Sequence, residues 1–209
     1  MNLNQIILAE GKKVNQNEKE HKPDQNGQQA NRTKILAEVA IFSSLSAVLY
    51  AIKLFILPYG LSITIGSFVP VMWLSLRRGV KTGLFAGTIF GILAFFVDSI
   101  IFGPQNVAVN PVQFVLEYPI AFALLGLAGV FHKKTAGFAL AGACFAIFVK
   151  FLIHAFAGYI FWVYVYQFPE EWGVWWPVVS NGSFHLVESV VSVILLSMLV
   201  KRRTLDYRL

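Results

Sequence analysis

The sequence predicts an all-α integral membrane protein of six transmembrane helices with both termini in the cytoplasm. Three observations predict it. First, 56% of the 209 residues are hydrophobic and only 13% are charged, where a soluble domain carries roughly 25% charged residues. Second, the apolar residues fall into six stretches, and at about 20 residues per span six helices with short connections use up the chain. Third, the basic residues collect at alternate connections, as membrane topology requires. No room is left for a large soluble domain. The single cysteine, Cys144, lies inside an apolar run and excludes a disulfide-built secreted module. The net charge of +6 flanks the apolar segments, so it reads as topology and not as a nucleic-acid surface.

Residues 1–33 are rich in Asn, Gln, Lys and Glu and hold one short apolar patch at 6–9, so they are expected to be a disordered cytoplasmic tail. The patch precedes most of the basic residues and is too short for a signal peptide. A membrane domain is expected over 34–203 and a short cytoplasmic tail over 204–209. The predicted spans are 35–57, 68–76, 83–102, 111–131, 137–165 and 175–200, each bounded by Gly, Pro or charge. The second is too short to cross alone. Its helix must begin in the preceding segment or be shielded by neighbours. That preceding segment alternates, Leu61-Ser62-Ile63-Thr64-Ile65, as a short strand would.

Orientation follows from the cations. Six precede the first span; Arg77, Arg78 and Lys81 lie between spans 2 and 3, Lys133 and Lys134 between 4 and 5, and Lys201, Arg202, Arg203 and Arg208 after span 6. Fifteen of seventeen therefore sit on one side, and the opposite connections carry none. The remaining two, Lys53 and Lys150, are placed within helices 1 and 5. By the positive-inside rule the basic side is cytoplasmic.

Ionisable residues within spans are costly and are functional candidates by default. Here they are Asp98, Glu117, Lys150, His154, His185 and Glu188, with Glu38 and Lys53 near helix ends. Glu117 lies six residues below Pro111, a depth of about 9 Å at 1.5 Å per residue, and its neighbours Phe114, Val115 and Leu116 offer it no partner. His154 falls in the outer half of helix 5, and Asn181 lies at the depth of Glu117 on helix 6. Lys150, His154, Gly158 and Trp162 recur every four residues and share one face, with Gly158 opening space between imidazole and indole. Such a set suits a cationic aromatic small molecule: a carboxylate supplies charge, rings supply cation–π attraction, and an amide both donates and accepts. Against that, Trp162, Trp172, Trp175 and Trp176 stand where an interfacial aromatic belt is expected. Lys150 and Glu188, at similar depth, are expected to form a structural ion pair, and Asp98 is expected to reach the interface.

Gly83, Gly87 and Gly91 make four-residue steps that permit close helix contact within the protein. Ala40, Ser43, Ser44 and Ala47 form a small-residue stripe on helix 1, suited to internal packing or to a docked partner. The chain lacks a phosphate-binding G-x-x-x-x-G-K-[ST] loop, a G-x-S-x-G elbow and a Cys/His cluster. It is read as a non-enzyme with no cofactor.

The segments Gly66-Ser67-Phe68-Val69-Pro70, Leu76-Arg77-Arg78-Gly79-Val80-Lys81-Thr82-Gly83, Asn110-Pro111-Val112-Gln113-Phe114-Val115-Leu116-Glu117-Tyr118 and His154 to Trp162 with Asn181 resemble the thiamine-binding S components (ThiT or YuaJ type) of energy-coupling factor (ECF) transporters. The resemblance covers residues 35–200. It implies a six-helix subunit of the bacterial plasma membrane that captures thiamine from outside and works with a transmembrane T component and two ATPase subunits. Glu117 then matches the carboxylate facing the ligand rings, Tyr118 an adjacent aromatic, His154 and Gly158 pocket-lining positions, Trp162 the stacking indole and Asn181 the amide of helix 6. Trp176 stands where the family usually has a tyrosine and Phe90 where a tryptophan can occur, which leaves a pyrimidine precursor or pyridoxine as alternative substrates. The helix 1 stripe resembles the Ala-rich motif by which S components dock. Two other classes compete: a self-sufficient secondary carrier, which lacks clear inverted repeats here, and an intramembrane enzyme using Glu117 and His154 as acid and base.

Overall fold

In the computed structural model the described residues are 25–56, 62–103, 107–108, 110–131, 135–161 and 175–201. The chain divides into two units, Met1–Ala37 and Glu38–Leu209. Among the described residues six helices carry the fold: α1 (Gln25–Ala51), α2 (Val69–Arg78), α3 (Val80–Phe102), α4 (Pro111–Phe131), α5 (Ala136–Gly158) and α6 (Trp176–Lys201). A two-stranded antiparallel hairpin, β1 (Lys53–Ile56) and β2 (Ser62–Thr64), connects α1 to α2. Five helices, all but α2, are long and apolar enough to cross a membrane. Their outer faces carry large apolar side chains such as Phe85, Ile100, Phe148, Leu186 and Ile194, while the interior is lined by small residues including Ala86, Ala94, Ala128, Ala143 and Ala146. Apolar groups outside and small ones inside are what a lipid solvent and close helix packing select. This is an all-α integral membrane protein.

Each departure from the predicted spans has a local cause. Residues 25–33, placed in the tail by composition, continue α1 as helical turns, with 28–34 exposed. At its other end α1 stops at Ala51, because Ile52-Lys53-Leu54-Phe55-Ile56 is rich in strand formers and pairs with β2 in the register Lys53↔Thr64, Phe55↔Ile63 and Ile56↔Ser62. Lys53 is therefore on a strand and not within helix 1. The alternating 61–65 segment supplies β2 as expected. The short α2 solves its length problem by burial: every residue from Val69 to Leu76 is buried, so its backbone ends meet protein and not lipid. Pro70 opens α2, and Gly79 at φ 89° separates it from α3.

α4 is not a uniform helix. Asn110 Oδ1 caps it by accepting from Gln113 N at 2.8 Å. Pro119 then removes one backbone donor, and Leu116–Ile120 widens into a π turn before the chain tightens to a 3-10 helix over Leu124–Phe131. The expected packing of the helix 3 glycines is present: Gly83, Gly87 and Gly91 face Gly126, Phe122–Ala123 and Tyr118 of α4.

Candidate functional site

Polar side chains inside the bundle gather in two clusters. On the α3–α4 side, Asp98 is 6% exposed. Its Oδ2 accepts from the hydroxyls of Tyr50 (2.7 Å) and Tyr118 (3.0 Å), while the Lys53 ammonium lies 3.0 Å from Oδ1 and 3.3 Å from the Tyr50 ring centre. Asp98 thus joins α1, β1, α3 and α4, and does not reach the interface as the sequence suggested. Burial pulls the Lys53 ammonium below the ordinary lysine range, and the Asp98 carboxylate opposes that pull.

On the α5–α6 side, Lys150 Nζ lies 2.7 Å from His154 Nε2 and 3.2 Å from His185 Nε2. His185 Nδ1 is 2.9 Å from the Asn181 carbonyl. Asn181 Nδ2 donates to Pro177 O (2.9 Å) and to His154 O (3.5 Å), tying α6 to itself and to α5. The expected Lys150–Glu188 ion pair is not made. Glu188 instead accepts from Thr64 N (3.0 Å), Thr64 Oγ1 (2.9 Å), Ser67 N (3.1 Å) and Ser67 Oγ (3.3 Å), so its oxygens hold the hairpin's second strand and the turn after it. Backbone donors fixed in place outcompete an ammonium that must also leave two imidazoles.

Phe122 stands between the clusters. Its ring is parallel to Tyr118 at 6.1 Å, edge-on to Phe90 at 4.8 Å and edge-on to His154 at 6.1 Å, and Lys150 Nζ lies 4.3 Å from its centre. The sequence-predicted residues distribute around this ring. Glu117 occupies the π turn, half-buried, and accepts from Gln113 Nε2 at 3.3 Å, so a local partner one turn earlier exists where none was expected. Tyr118 is buried, with its hydroxyl committed to Asp98. Phe90 is fully buried among Tyr50 and Phe122 and belongs to the aromatic core. His154, Gly158 and Asn181 are brought together: a Cβ added at Gly158 would meet Pro177 Cβ at 3.1 Å and Asn181 Nδ2 at 3.2 Å, so this glycine makes room for α6. Trp162 and Trp172 lie outside the described residues, as does the side chain of Trp176, which opens α6. Trp175 is exposed, as a belt residue would be.

The helix 1 stripe splits. Ser43 is buried and its hydroxyl donates to Ala86 O at 2.8 Å, and Ala47 is buried beside it, whereas Ala40 and Ser44 are exposed. Tyr50, Phe122, Thr64 and Ser67 enter the polar clusters without having been singled out. The signal for Tyr50 is its place three residues before Lys53, close enough in the chain for an aromatic face to meet a cation. Among the described residues no group of three or more His, Cys, Asp or Glu is arranged to hold a metal ion.

A bundle of apolar helices that concentrates carboxylates, imidazoles and an ammonium at its centre defines a polytopic membrane protein built around a polar interior, and not a passive anchor. Residues 36–206 match the family model described as thiamine transporter protein (Thia_YuaJ). The thiamine transporter ThiT of Lacticaseibacillus paracasei is 32% identical over 193 residues, spanning 83% of this chain and 90% of that protein. ThiT of Bacillus subtilis is 26% identical over 179 residues, spanning 78% and 88%. A solved structure of ThiT from Listeria monocytogenes matches with a TM-score of 0.66 at 30% identity, covering 82% of this chain and 96% of that one. The chain belongs to the thiamine transporter protein family and is a multi-pass protein of the bacterial cell membrane. Its relatives are named as transporters, not as enzymes.

Proposed function

We propose that this chain is the substrate-capture (S) subunit of an ECF-type, ATP-driven importer and binds thiamine from the outside, with both termini cytoplasmic and α2 completing six membrane helices. The observation that carries the reading is Glu117: a half-buried carboxylate in a distorted turn of an otherwise apolar helix, in a chain of the thiamine transporter family. Thiamine carries a fixed thiazolium cation beside an aminopyrimidine. Glu117 offers charge, His154 and, by the family resemblance, Trp162 offer ring faces, Asn181 offers an amide, and Tyr118 and Phe90 add buried aromatic surface. Trp176 completes the set at the start of α6. The chain has no nucleotide-binding loop, so transport energy is assigned to a T component and two ATPase subunits.

Native mass analysis of ligand retained after purification tests the substrate; thiamine is expected, and retention of a pyrimidine precursor or pyridoxine replaces it. Coupling is tested on α1. Ala40→Trp or Ser44→Trp adds bulk on an exposed face and should abolish ATP-dependent uptake and co-purification with the T component, while leaving thiamine affinity unchanged. Ser43→Trp and Ala47→Trp should instead destabilise the isolated subunit, because those positions are buried. Uptake by the purified chain alone would overturn the importer-subunit reading in favour of a secondary carrier.

A further inference from the structure

Lys150 is 1% exposed and, among the described residues, meets no carboxylate directly. The two nearby acids are taken: Glu188 by Thr64 and Ser67, Asp98 by Tyr50, Tyr118 and Lys53. What surrounds the ammonium is two imidazole nitrogens, at 2.7 and 3.2 Å, and two ring faces, Phe68 at 4.8 Å and Phe122 at 4.3 Å. An ammonium donates three hydrogen bonds and accepts none. While Lys150 is charged, both Nε2 atoms present lone pairs to it, since a protonated Nε2 would set two donors against each other in a low-dielectric site. For His185 a second contact leads to the same assignment. Its Nδ1 faces the Asn181 carbonyl at 2.9 Å, which only accepts, so the proton is on Nδ1. His154 has the same Nε2 contact, and its Nδ1 makes no hydrogen bond to any described residue.

We propose that Lys150 is a positioning residue that holds His154 and His185 as neutral imidazoles protonated on Nδ1, so that His154 offers an uncharged N–H donor and an uncharged ring face to a cationic heteroaromatic ligand bearing an acceptor atom. The identity of the ligand rests on the thiamine reading above; the protonation pattern does not. A neutral ring attracts a fixed cation through its face, and the commoner Nε2–H form would leave Nδ1 an acceptor. Lys150 sits one helical turn before His154 on α5, the spacing at which side chains on one face meet, so a single helix sets the geometry and α6 supplies His185 to complete it.

The test is the imidazole nitrogen spectrum of histidine-labelled full-length protein in lipid nanodiscs, without ligand, near neutral pH, with His154→Gln and His185→Gln used to assign the signals. Nδ1–H patterns are expected for both residues. An Nε2–H form or an imidazolium at either overturns the proposal, and the wild-type spectrum alone decides this even if variants fold poorly. Lys150→Met should return His154 to the common Nε2–H form and weaken thiamine binding by about tenfold or more, as for loss of a charge-assisted bond. Lys150→Arg, also donor-only, should keep the Nδ1–H signature and recover most of the affinity; loss of the signature in this variant overturns the donor-only argument. Absence of thiamine binding by a wild-type protein that shows the Nδ1–H pattern would refute the substrate assignment and leave the positioning role standing.

Discussion

The α3–α4 contact and the α5–α6 contact are both apolar-helix pairs with glycine at the seam, yet they are built on different terms. Between α3 and α4 the backbones themselves touch. An added Cβ at Gly91 would lie 2.7 Å from Tyr118 C, one at Gly87 2.8 Å from Ala123 Cα, and one at Gly126 2.7 Å from Leu84 Cα. Between α5 and α6 the seam glycines meet side chains at ordinary or slightly short range: Gly158 faces Pro177 and Asn181, and a Cβ on Gly182 would come no nearer than 3.6 Å to Phe151. There Lys150 to His185 and Asn181 to His154 O join the helices through directional bonds, oriented by Lys150–His154 within α5 and His185–Asn181 O within α6. Without a hydrophobic drive between helices in lipid, close packing and interhelical hydrogen bonds are the two available adhesives. The α3–α4 seam relies chiefly on the first, as a scaffold of touching backbones to which the Tyr118–Asp98 bond is added; the α5–α6 seam relies on the second.

Gly126→Ala should break this contrast most severely. The new methyl would fall against the Gly83–Leu84 backbone, which has no rotamer to adopt, so the helices must part. Overpacking costs typically ~1–3 kcal/mol and more where backbone must move, and the upper end is expected. Thermal unfolding of the solubilised protein should show a large fall in melting temperature or loss of a monodisperse species. An unchanged melting temperature would mean that the scaffold seam is looser than its geometry.

Glu117→Gln comes next and probes function without fold. Glu117 belongs to α4 and sits half-buried in the π turn, where the neighbouring Tyr118 and not Glu117 meets Gly91. Charge-assisted hydrogen bonds are worth roughly 1.5–3 kcal/mol, so calorimetry should show thiamine affinity reduced by about tenfold to hundredfold, with melting temperature little altered. Full affinity in the variant would remove Glu117 from the site.

The sequence made the scaffold readable and the polar half only partly so. Apolar run lengths placed the long helices, and the four-residue spacing of Gly83, Gly87 and Gly91 named their packing face, because both signals are local. Depth along two helices pairs Lys150 with Glu188. Depth says nothing of azimuth, nor of donors arriving from Thr64 and Ser67, more than a hundred residues earlier in the chain. Asp98 was misplaced for the same reason, since its partners Tyr50, Lys53 and Tyr118 come from three other elements. On α1 the four small residues read as one stripe, although Ser43 and Ala47 form one row and Ala40 and Ser44 the next; only the packed structure shows that the first row is buried.

Gly158→Ala should have the smallest effect, and it makes the comparison quantitative because the same chemical change is applied to the other seam. The added methyl would meet Pro177 Cβ at 3.1 Å and Asn181 Nδ2 at 3.2 Å. Relief requires shifts of a few tenths of an ångström by a ring and a side-chain amide, neither of them backbone. Replacing a helical glycine by alanine also gains roughly 0.5–1 kcal/mol through the unfolded chain and helix propensity, which offsets the strain, so the melting temperature should barely move. Affinity should register the change more than stability does, because Asn181 is the residue displaced. Its bonds to Pro177 O and His154 O hold it at the level of His154, and tilting the amide should weaken thiamine binding by about threefold to tenfold, as for a distorted neutral hydrogen bond. A melting-temperature loss equal to that of Gly126→Ala would show that α5 and α6 are sealed as tightly as α3 and α4, and the contrast between the two seams would fail.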